Sequence, residues 1–206
     1  MSLTEIADEI ARQASASTGR YLVGVAGPPA SGKSTLARKL ADALPGGALV
    51  PMDGFHLDDG LLTARGHRDR KGAPHTFDVG GFVSLLRRLR VEDGLYAPAF
   101  DRDLEVSRGG AIWIGPEAKL IVVEGNWLLY PEGGWEAVRP ALDLCLYLDI
   151  PEDELVRRLT DRWAHHGKSA DEALAWIEAN DLPNARMAAA TKGAADRILA
   201  PGDIGA

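Results

Sequence analysis

Nearly continuous apolar runs along the chain alternate with segments in which apolar residues recur at helical spacing. The apolar runs predict strands at residues 21–26, 48–52, 120–124, 142–150 and 197–200. Because these runs do not alternate with polar residues, they favour a parallel sheet that is covered on both faces. The helical pattern occurs at residues 3–16, 33–44, 79–90, 152–164, 170–179 and 184–191. This succession predicts an α/β fold with a doubly wound, mainly parallel sheet and helices on both faces.

Two segments do not follow this alternation. Residues 54–77 are rich in glycine and in charges of both signs, and they show little apolar periodicity. Residues 95–116 have the pattern of a hairpin, with Arg108-Gly109-Gly110 as the predicted turn. Long irregular stretches in a compact domain are usually functional loops. We interpret both as insertions over the carboxyl ends of the strands, where ligands bind in doubly wound folds.

Length and charge limit the possible functions. The chain has 206 residues, and that length predicts one domain over residues 1–206. The net charge of -7 argues against a nucleic-acid surface. No apolar run approaches the roughly 18 residues of a membrane helix, and the amino-terminal segment lacks the basic and apolar regions of a signal peptide.

The one cysteine, Cys145, lies within the apolar run 142–150. A disulfide within the chain is therefore impossible, which suits a reducing compartment and predicts a cytoplasmic protein. A cysteine inside an apolar strand usually packs as a small hydrophobic residue, so a nucleophilic role is not expected.

A match to the phosphate-binding pattern G-x-x-x-x-G-K-S/T lies between the first predicted strand and the second predicted helix, at residues 27–35 (GPPASGKST). Its glycines let backbone N–H groups curl around a phosphate, and the start of the next helix adds a positive field. Lys33 can then reach the β- and γ-phosphates, and the Ser34 hydroxyl can bind Mg²⁺. The predicted nucleotide-binding residues are Gly27, Ala30, Ser31, Gly32, Lys33, Ser34 and Thr35.

Two carboxylates follow predicted strands at the same edge of the sheet. Asp53 comes directly after residues 48–52, and Glu124 ends the run 120–124. Asp53 is suited to accept a hydroxyl proton as a general base, or to hold Mg²⁺ through water. A solvated Asp-Gly turn is the structural alternative. Glu124 is predicted to join Ser34 in the metal site.

The basic segment 157–169 is predicted to form a lid. Arg158 and Arg162 lie one turn apart on the same side of the predicted helix 152–164, and arginines there can neutralise a transferring phosphoryl group. The helix dipole alone also favours acids in the first turn and bases in the last, so a structural role is the alternative. The predicted catalytic residues are Asp53, Lys33, Arg158 and Arg162.

Polar residues in and near the two insertions are candidates for binding the phosphoryl acceptor. A zinc site does not fit their spacing, because they include no cysteine pair and no tight histidine pair. The alternatives are a solvated charged loop and, for the asparagines, helix capping. The predicted acceptor-binding residues are His56, Arg65, Lys71, Asp101, Arg102, Asn180 and Asn184.

Five motifs occur in order along the chain: GPPASGKST, MDGFH, RKGAPHTFD, VVEGNWLL and LYLDIPEDELVRRLTDR. Together they resemble the phosphoribulokinase/uridine kinase group of P-loop kinases, which includes the bacterial pantothenate kinases. Within that group the chain is most similar to small bacterial proteins described as nucleoside kinases or fructose-transport-system kinases. The resemblance covers residues 20–200. It implies a P-loop NTPase-type kinase domain with a small lid, ATP and Mg²⁺ as cofactors, and phosphoryl transfer to a hydroxyl of a small metabolite.

The resemblance also implies nucleotide, catalytic, metal and lid roles for the positions already predicted from the loop and the strand ends. The alternative function is a nucleotide-dependent ATPase or switch that acts on a protein partner. A GTPase is not indicated, because residues 180–183 and 191–194 do not match the Asn-Lys-x-Asp guanine motif. The expected partner is a small-molecule acceptor rather than a nucleic acid or a membrane, and a homodimer is one of the oligomeric states left open.

Overall fold

Five parallel strands form the central sheet in the computed structural model, which describes residues 2–204. The seven strands of this part of the chain are β1 (Tyr21–Ala26), β2 (Gly47–Pro51), β3 (Leu95–Asp101), β4 (Val106–Ile114), β5 (Leu120–Gly125), β6 (Leu144–Leu148) and β7 (Arg197–Leu199). The parallel strands have the order β2–β5–β1–β6–β7, and β3 pairs with β4 as a separate antiparallel hairpin. The predicted doubly wound parallel sheet is confirmed.

The helices flank this sheet and agree with the predicted ones except near their ends. They are α1 (Leu3–Ser15), α2 (Lys33–Ala43), α3 (Asp59–Ala64), α4 (Val79–Val91), α5 (Glu152–His165), α6 (Ala170–Trp176) and α7 (Leu182–Ala190). A π-helical turn, Ile177–Asp181, joins α6 to α7. The short helix α3 was not predicted, because residues 54–77 show little apolar periodicity. Nowhere in residues 2–204 is a helix long and apolar enough to span a membrane.

Apolar side chains cover both faces of the sheet. Phe82 and Leu86 of α4 are buried against one face. Ile10 of α1 and Leu40 of α2 are buried against the other. Both faces are therefore occupied by helices, and the loops at the carboxyl ends of β1, β2 and β5 are left to form a binding site.

Two buried indoles hold the segment that links α3 to α4. The Nε1 of Trp127 donates to the Gly72 carbonyl at 3.0 Å, and the Nε1 of Trp135 donates to the Pro74 carbonyl at 3.1 Å. Both indoles are almost completely buried, so each needs a protein acceptor for its N–H group. This part of the predicted insertion 54–77 is consequently fixed to the core.

The predicted turn of the hairpin was wrong. Arg108, Gly109 and Gly110 lie inside β4, and the turn between β3 and β4 covers residues 102–105. The Oδ1 of Asp101 accepts hydrogen bonds from the backbone N–H groups of Asp103 and Leu104, at 3.2 and 3.1 Å. An aspartate whose side chain accepts hydrogen bonds from the backbone of the following residues forms a turn as readily as glycine does. These bonds explain why the turn lies at residues 102–105.

Gly54 lies in the 3₁₀ turn Met52–Phe55, against which the hairpin packs. A Cβ at Gly54 would lie 2.7 Å from the carbonyl carbon of Pro98 and 3.1 Å from the nitrogen of Ala99. Because these neighbours are backbone atoms, we expect Gly54→Ala to lower the free energy of unfolding by about 1–3 kcal/mol. Calorimetry should show a Tm lower by about 3–10 °C. Gly109→Ala, where the Cβ meets nothing within 4 Å, is the control, and equal Tm values would contradict the prediction.

Cys145 is fully buried in β6, and burial raises the pKa of its thiol to about 12. Because only the thiolate reacts, we expect iodoacetamide to label the native protein at least about 100-fold more slowly than the guanidinium-unfolded protein. Mass spectrometry of timed samples measures both rates. Similar rates for the folded and unfolded chains would contradict the buried position of this thiol.

Candidate active site

Residues 27–32 connect β1 to α2 as a curled loop. Gly32, directly before α2, has a φ of 95°, and Ala30 has a φ of 60°. Left-handed conformations of this kind turn backbone N–H groups toward a common centre and form an anion-binding concavity. The first turn of α2, which is fully described, contains no acidic residue, so the positive field at the helix start is not cancelled there.

Ser34 and Glu124 meet beneath this loop. The Ser34 hydroxyl donates to the Glu124 Oε2 at 3.1 Å, and Glu124 is only 4% exposed. Burial raises the pKa of Glu124, and the nearby charge of Lys33 only partly opposes that effect. Burial lowers the pKa of Lys33, against the attraction of Glu124 and Asp53. The buried acid therefore lies in a site that would be stabilised by additional positive charge.

Asp53 lies in the 3₁₀ turn Met52–Phe55, which follows β2, and lines the same cavity as the phosphate-binding loop. Its Oδ2 accepts a hydrogen bond from the Arg102 Nη2 at 2.6 Å. Burial by itself would raise the pKa of Asp53, but the charges of His56 and Arg102 outweigh it, and the pKa lies below the ordinary value. Asp53 is consequently ionised at neutral pH, which a general base requires.

One cavity of about 810 Å³ joins the loop to the two predicted insertions. The predicted site residues that line it are Ala30, Gly32, Lys33, Ser34, Thr35, Asp53, His56, Lys71, Arg102, Arg158, Arg162, Asn180 and Asn184. Gly27 and Ser31 lie in the same loop, and Glu124 is reached through its bond to Ser34. The tertiary structure thus brings most of the predicted residues to one space.

Arg65 and Asp101 are not among the lining residues of this cavity within the described chain. Arg65 is exposed and directly follows α3. Asp101 is used in the hairpin turn, and its Oδ2 also lies 3.3 Å from the Nε of Arg108. The structure therefore does not support an acceptor-binding position for either residue.

Arg158 and Arg162 have different surroundings. The Nη1 of Arg158 donates to the Ser31 carbonyl at 2.9 Å, and its Nε donates to Glu154 at 2.7 Å. Arg158 is thus held against the phosphate-binding loop. Arg162 is half-buried in the cavity wall, and burial, together with the charge of Arg102, lowers its pKa. Arg158 and Arg162 both line the cavity, and Arg162 also interacts electrostatically with Asp53.

Several cavity residues were missed by sequence reasoning. Trp163 was not among the predicted site residues, but it lines the cavity and its Nε1 donates to the Asp181 Oδ2 at 2.7 Å. Phe100 and Asn126 also line the cavity. Asn126 comes two residues after Glu124, so the rule that strand ends carry functional side chains could have identified it. Trp163 and Phe100 gave no local signal, because each also fits an ordinary amphipathic pattern.

The donor set at the loop is suited to a hard cation. Residues 2–204 contain no group of three or more His, Cys, Asp or Glu side chains arranged to hold a metal by themselves. The Ser34 hydroxyl and the carboxylates of Glu124 and Asp53 are oxygen donors, which Mg²⁺ prefers when water and phosphate complete its ligands. These oxygen donors therefore fit Mg²⁺, which keeps water and phosphate among its ligands, better than a metal ion whose ligands are all protein side chains.

No protein-family model matches the chain, but individual proteins that are similar to it identify its family. The uncharacterized protein YggC of Escherichia coli K12 is 35% identical over 171 residues, which cover 80% of this chain and 71% of the relative. A proposed uridine kinase of Schizosaccharomyces pombe is 34% identical over 179 residues, which cover 80% of this chain and 76% of the relative.

A solved structure is similar over nearly the whole chain. It is that of a proposed fructose transport system kinase from Silicibacter sp. TM1040, with 40% identity and a TM-score of 0.91. The similarity covers 97% of this chain and 99% of that chain. Such P-loop kinase relatives imply the use of a nucleotide. The chain belongs to the phosphoribulokinase/uridine kinase group of P-loop kinases, and it is a kinase that acts on a small molecule.

Proposed function

We propose that the protein transfers the γ-phosphoryl group of ATP to a hydroxyl of a small polar metabolite, of the sugar or nucleoside class. The observation that carries this proposal is the single cavity of about 810 Å³ that joins the phosphate-binding loop, Asp53 and the polar walls beyond it. Small-molecule sites typically have volumes of about 300–1,000 Å³. Residues 1–206 would act as one kinase domain, with 54–77 and 95–116 on the acceptor side and 157–169 as the lid.

Asp53 is proposed as the general base. In the transfer step, the acceptor oxygen forms a bond to the γ-phosphorus while the bond from that phosphorus to the β–γ bridging oxygen breaks. The hydroxyl proton of the acceptor moves to the Asp53 carboxylate. Arg102 occupies one oxygen of this carboxylate, so the acceptor would approach the other oxygen or displace the guanidinium.

Three cationic side chains are proposed to stabilise the charge of the phosphoryl group. Lys33, at the start of α2, would neutralise the phosphate chain of the nucleotide. Arg162 would face the transferring group from the cavity wall, where its charge is little screened because it is half-buried. Arg158 would act mainly by holding the loop through the Ser31 carbonyl.

Ser34, Glu124 and Asp53 are the residues that would hold Mg²⁺. This assignment is supported by the bond between Ser34 and Glu124 and by the raised pKa of the buried Glu124, which a cation would lower. When bound, Mg²⁺ would neutralise charge on the β- and γ-phosphate oxygens. The protein's own contribution is to present oxygen donors beside the loop.

The acceptor would bind between the hairpin and α7, where the polar walls of the cavity lie. Asn126 and Asn184 each present a buried side-chain oxygen that has no hydrogen-bond partner within the described residues. Buried amide oxygens are costly when unpaired, and the hydroxyl groups of a polyol could satisfy them. His56, Lys71, Arg102 and Asn180 complete the proposed acceptor site.

An assay of ADP release from Mg-ATP against a panel of sugars, nucleosides and pantothenate tests this function. We expect one compound to raise ADP release far above the rate without acceptor, and mass spectrometry should detect its phosphorylated product. Rapid ADP release that no compound changes would instead indicate an ATPase or switch with a protein partner.

A further inference from the structure

The junction between α6 and α7 lacks a helical hydrogen-bond donor at one position. The π-helical turn Ile177–Asp181 joins these helices, and Pro183 is the second residue of α7. Pro183 has no N–H group, so it can donate neither to the Glu178 carbonyl five residues earlier, in the π-helical register, nor to the Ala179 carbonyl four residues earlier. π-helical turns within helices are frequent at functional sites, and this one lies beside the cavity.

Arg70, from the segment between α3 and α4, supplies a donor to this carbonyl. Its Nη1 donates to the Ala179 carbonyl oxygen at 2.6 Å, and a charged donor makes this hydrogen bond stronger than a neutral one. The neighbouring residues repeat the contact in the opposite direction, since the Asn180 Nδ2 donates to the Lys71 carbonyl at 3.3 Å. Two adjacent hydrogen bonds therefore fasten the segment 68–77 to the helical junction.

This junction carries side chains of the cavity wall. Asn180 and Asp181 directly follow Ala179, are 3% and 9% exposed, and line the cavity. Asp181 accepts the hydrogen bond from Trp163, which is adjacent to Arg162 on α5. The junction thus connects the acceptor side of the cavity to the helix that carries Arg162.

We propose that Arg70 is a positioning residue for the acceptor site: its bond to the Ala179 carbonyl fastens the segment 68–77 to the helical junction. Through this bond Arg70 holds Asn180 and Asp181 at the cavity, although Arg70 does not itself line the cavity. The expected effect of Arg70 on the KM of the acceptor rests on the proposed function, whereas its coupling of the segment 68–77 to the helical junction does not.

Hydrogen exchange of the chain of residues 1–206 tests the coupling without any ligand. We expect Arg70→Ala to speed amide exchange in both 68–77 and 177–190 by about tenfold, with no change in β1. Unchanged exchange in 177–190 overturns the proposal.

Kinetics separate positioning from a general structural role. With Mg-ATP and the panel compound that gives the highest ADP release, Arg70→Ala should raise the KM of that compound about tenfold and change the KM of ATP less than about twofold. Arg70→Lys, which retains one donor, should be intermediate. Arg88→Ala is the matched control, because Arg88 is an exposed arginine of α4 that pairs with Glu92.

Each kinetic outcome decides one of the two proposals. Equal changes in both KM values for Arg70→Ala, or no change in either, would overturn the positioning role. If no panel compound is phosphorylated, the proposed function fails, and hydrogen exchange alone then decides whether Arg70 couples the two segments.

Discussion

Replacement of Asp53 by asparagine is expected to lower kcat for phosphoryl transfer by about 10²–10⁴-fold, because general base catalysis typically contributes that factor. The amide cannot accept the hydroxyl proton, yet it keeps the size of the side chain. Binding of ATP should be retained within a few-fold, since the phosphate-binding loop is unchanged. Rapid-quench or coupled ADP assays measure kcat, and calorimetric titration measures the affinity for the nucleotide.

Asp161→Asn is the matched control for this prediction. Asp161 is an exposed aspartate on α5 that pairs with Arg157 at 3.0 Å, so its replacement should leave transfer close to the wild-type rate. The lowered pKa of Asp53 adds a second expectation: the carboxylate stays ionised at neutral pH, and protonation of Asp53 should reduce the rate only at pH values below its ordinary pKa. Unchanged transfer in Asp53→Asn would remove this residue from the mechanism.

Replacement of Arg162 by alanine is expected to lower kcat by about 10³-fold, the lower end of the effects found for arginines that neutralise a transferring phosphoryl group. The reason is its position, half-buried in the wall of the cavity that the phosphate-binding loop also lines. Lysine at the same position should recover only part of the rate, because it lacks the planar fork of the guanidinium. Steady-state ADP release at saturating Mg-ATP measures the effect.

Two other arginines of α5 provide the comparison. Arg157 is exposed and pairs with Glu154 and Asp161, so Arg157→Ala should change kcat less than about threefold. Arg158 is bonded to the Ser31 carbonyl, so Arg158→Ala should mainly raise the KM of ATP by loosening the loop. Similar losses of kcat in Arg157→Ala and Arg162→Ala would show that the direction of the side chain does not matter, contrary to this prediction.

The strands and the phosphate-binding loop were predictable because their signals are local. A buried parallel strand needs an unbroken apolar run, and a curled phosphate loop needs glycine at fixed positions such as Gly32, with its φ of 95°. The strand-end rule then placed Asp53 and Glu124 near Lys33, and the structure brings all three charges within electrostatic reach of one another. The hairpin turn was not predictable in the same way, because Asp101 forms it with a side-chain bond that resembles any other aspartate in sequence.

The insertions were less predictable because their charges are paired across long sequence distances. Arg102 bonds Asp53 from 49 residues away, and Arg70 bonds the Ala179 carbonyl from 109 residues away. Periodicity carries no information about such pairs, so Arg65 was assigned to the acceptor site and Trp163 was not.

By itself, the sequence determined an α/β fold with a phosphate-binding loop, because the periods of buried strands and the backbone needs of such a loop are encoded within a few consecutive residues. That the protein is a kinase followed from the resemblance of its five motifs to a known family. Only the tertiary structure decided which charged side chains line the cavity, that Arg158 bonds the Ser31 carbonyl, and that Arg70 reaches the Ala179 carbonyl. Those outcomes depend on how the hairpin, α5 and the junction before α7 pack together, and packing joins residues that the chain itself keeps far apart.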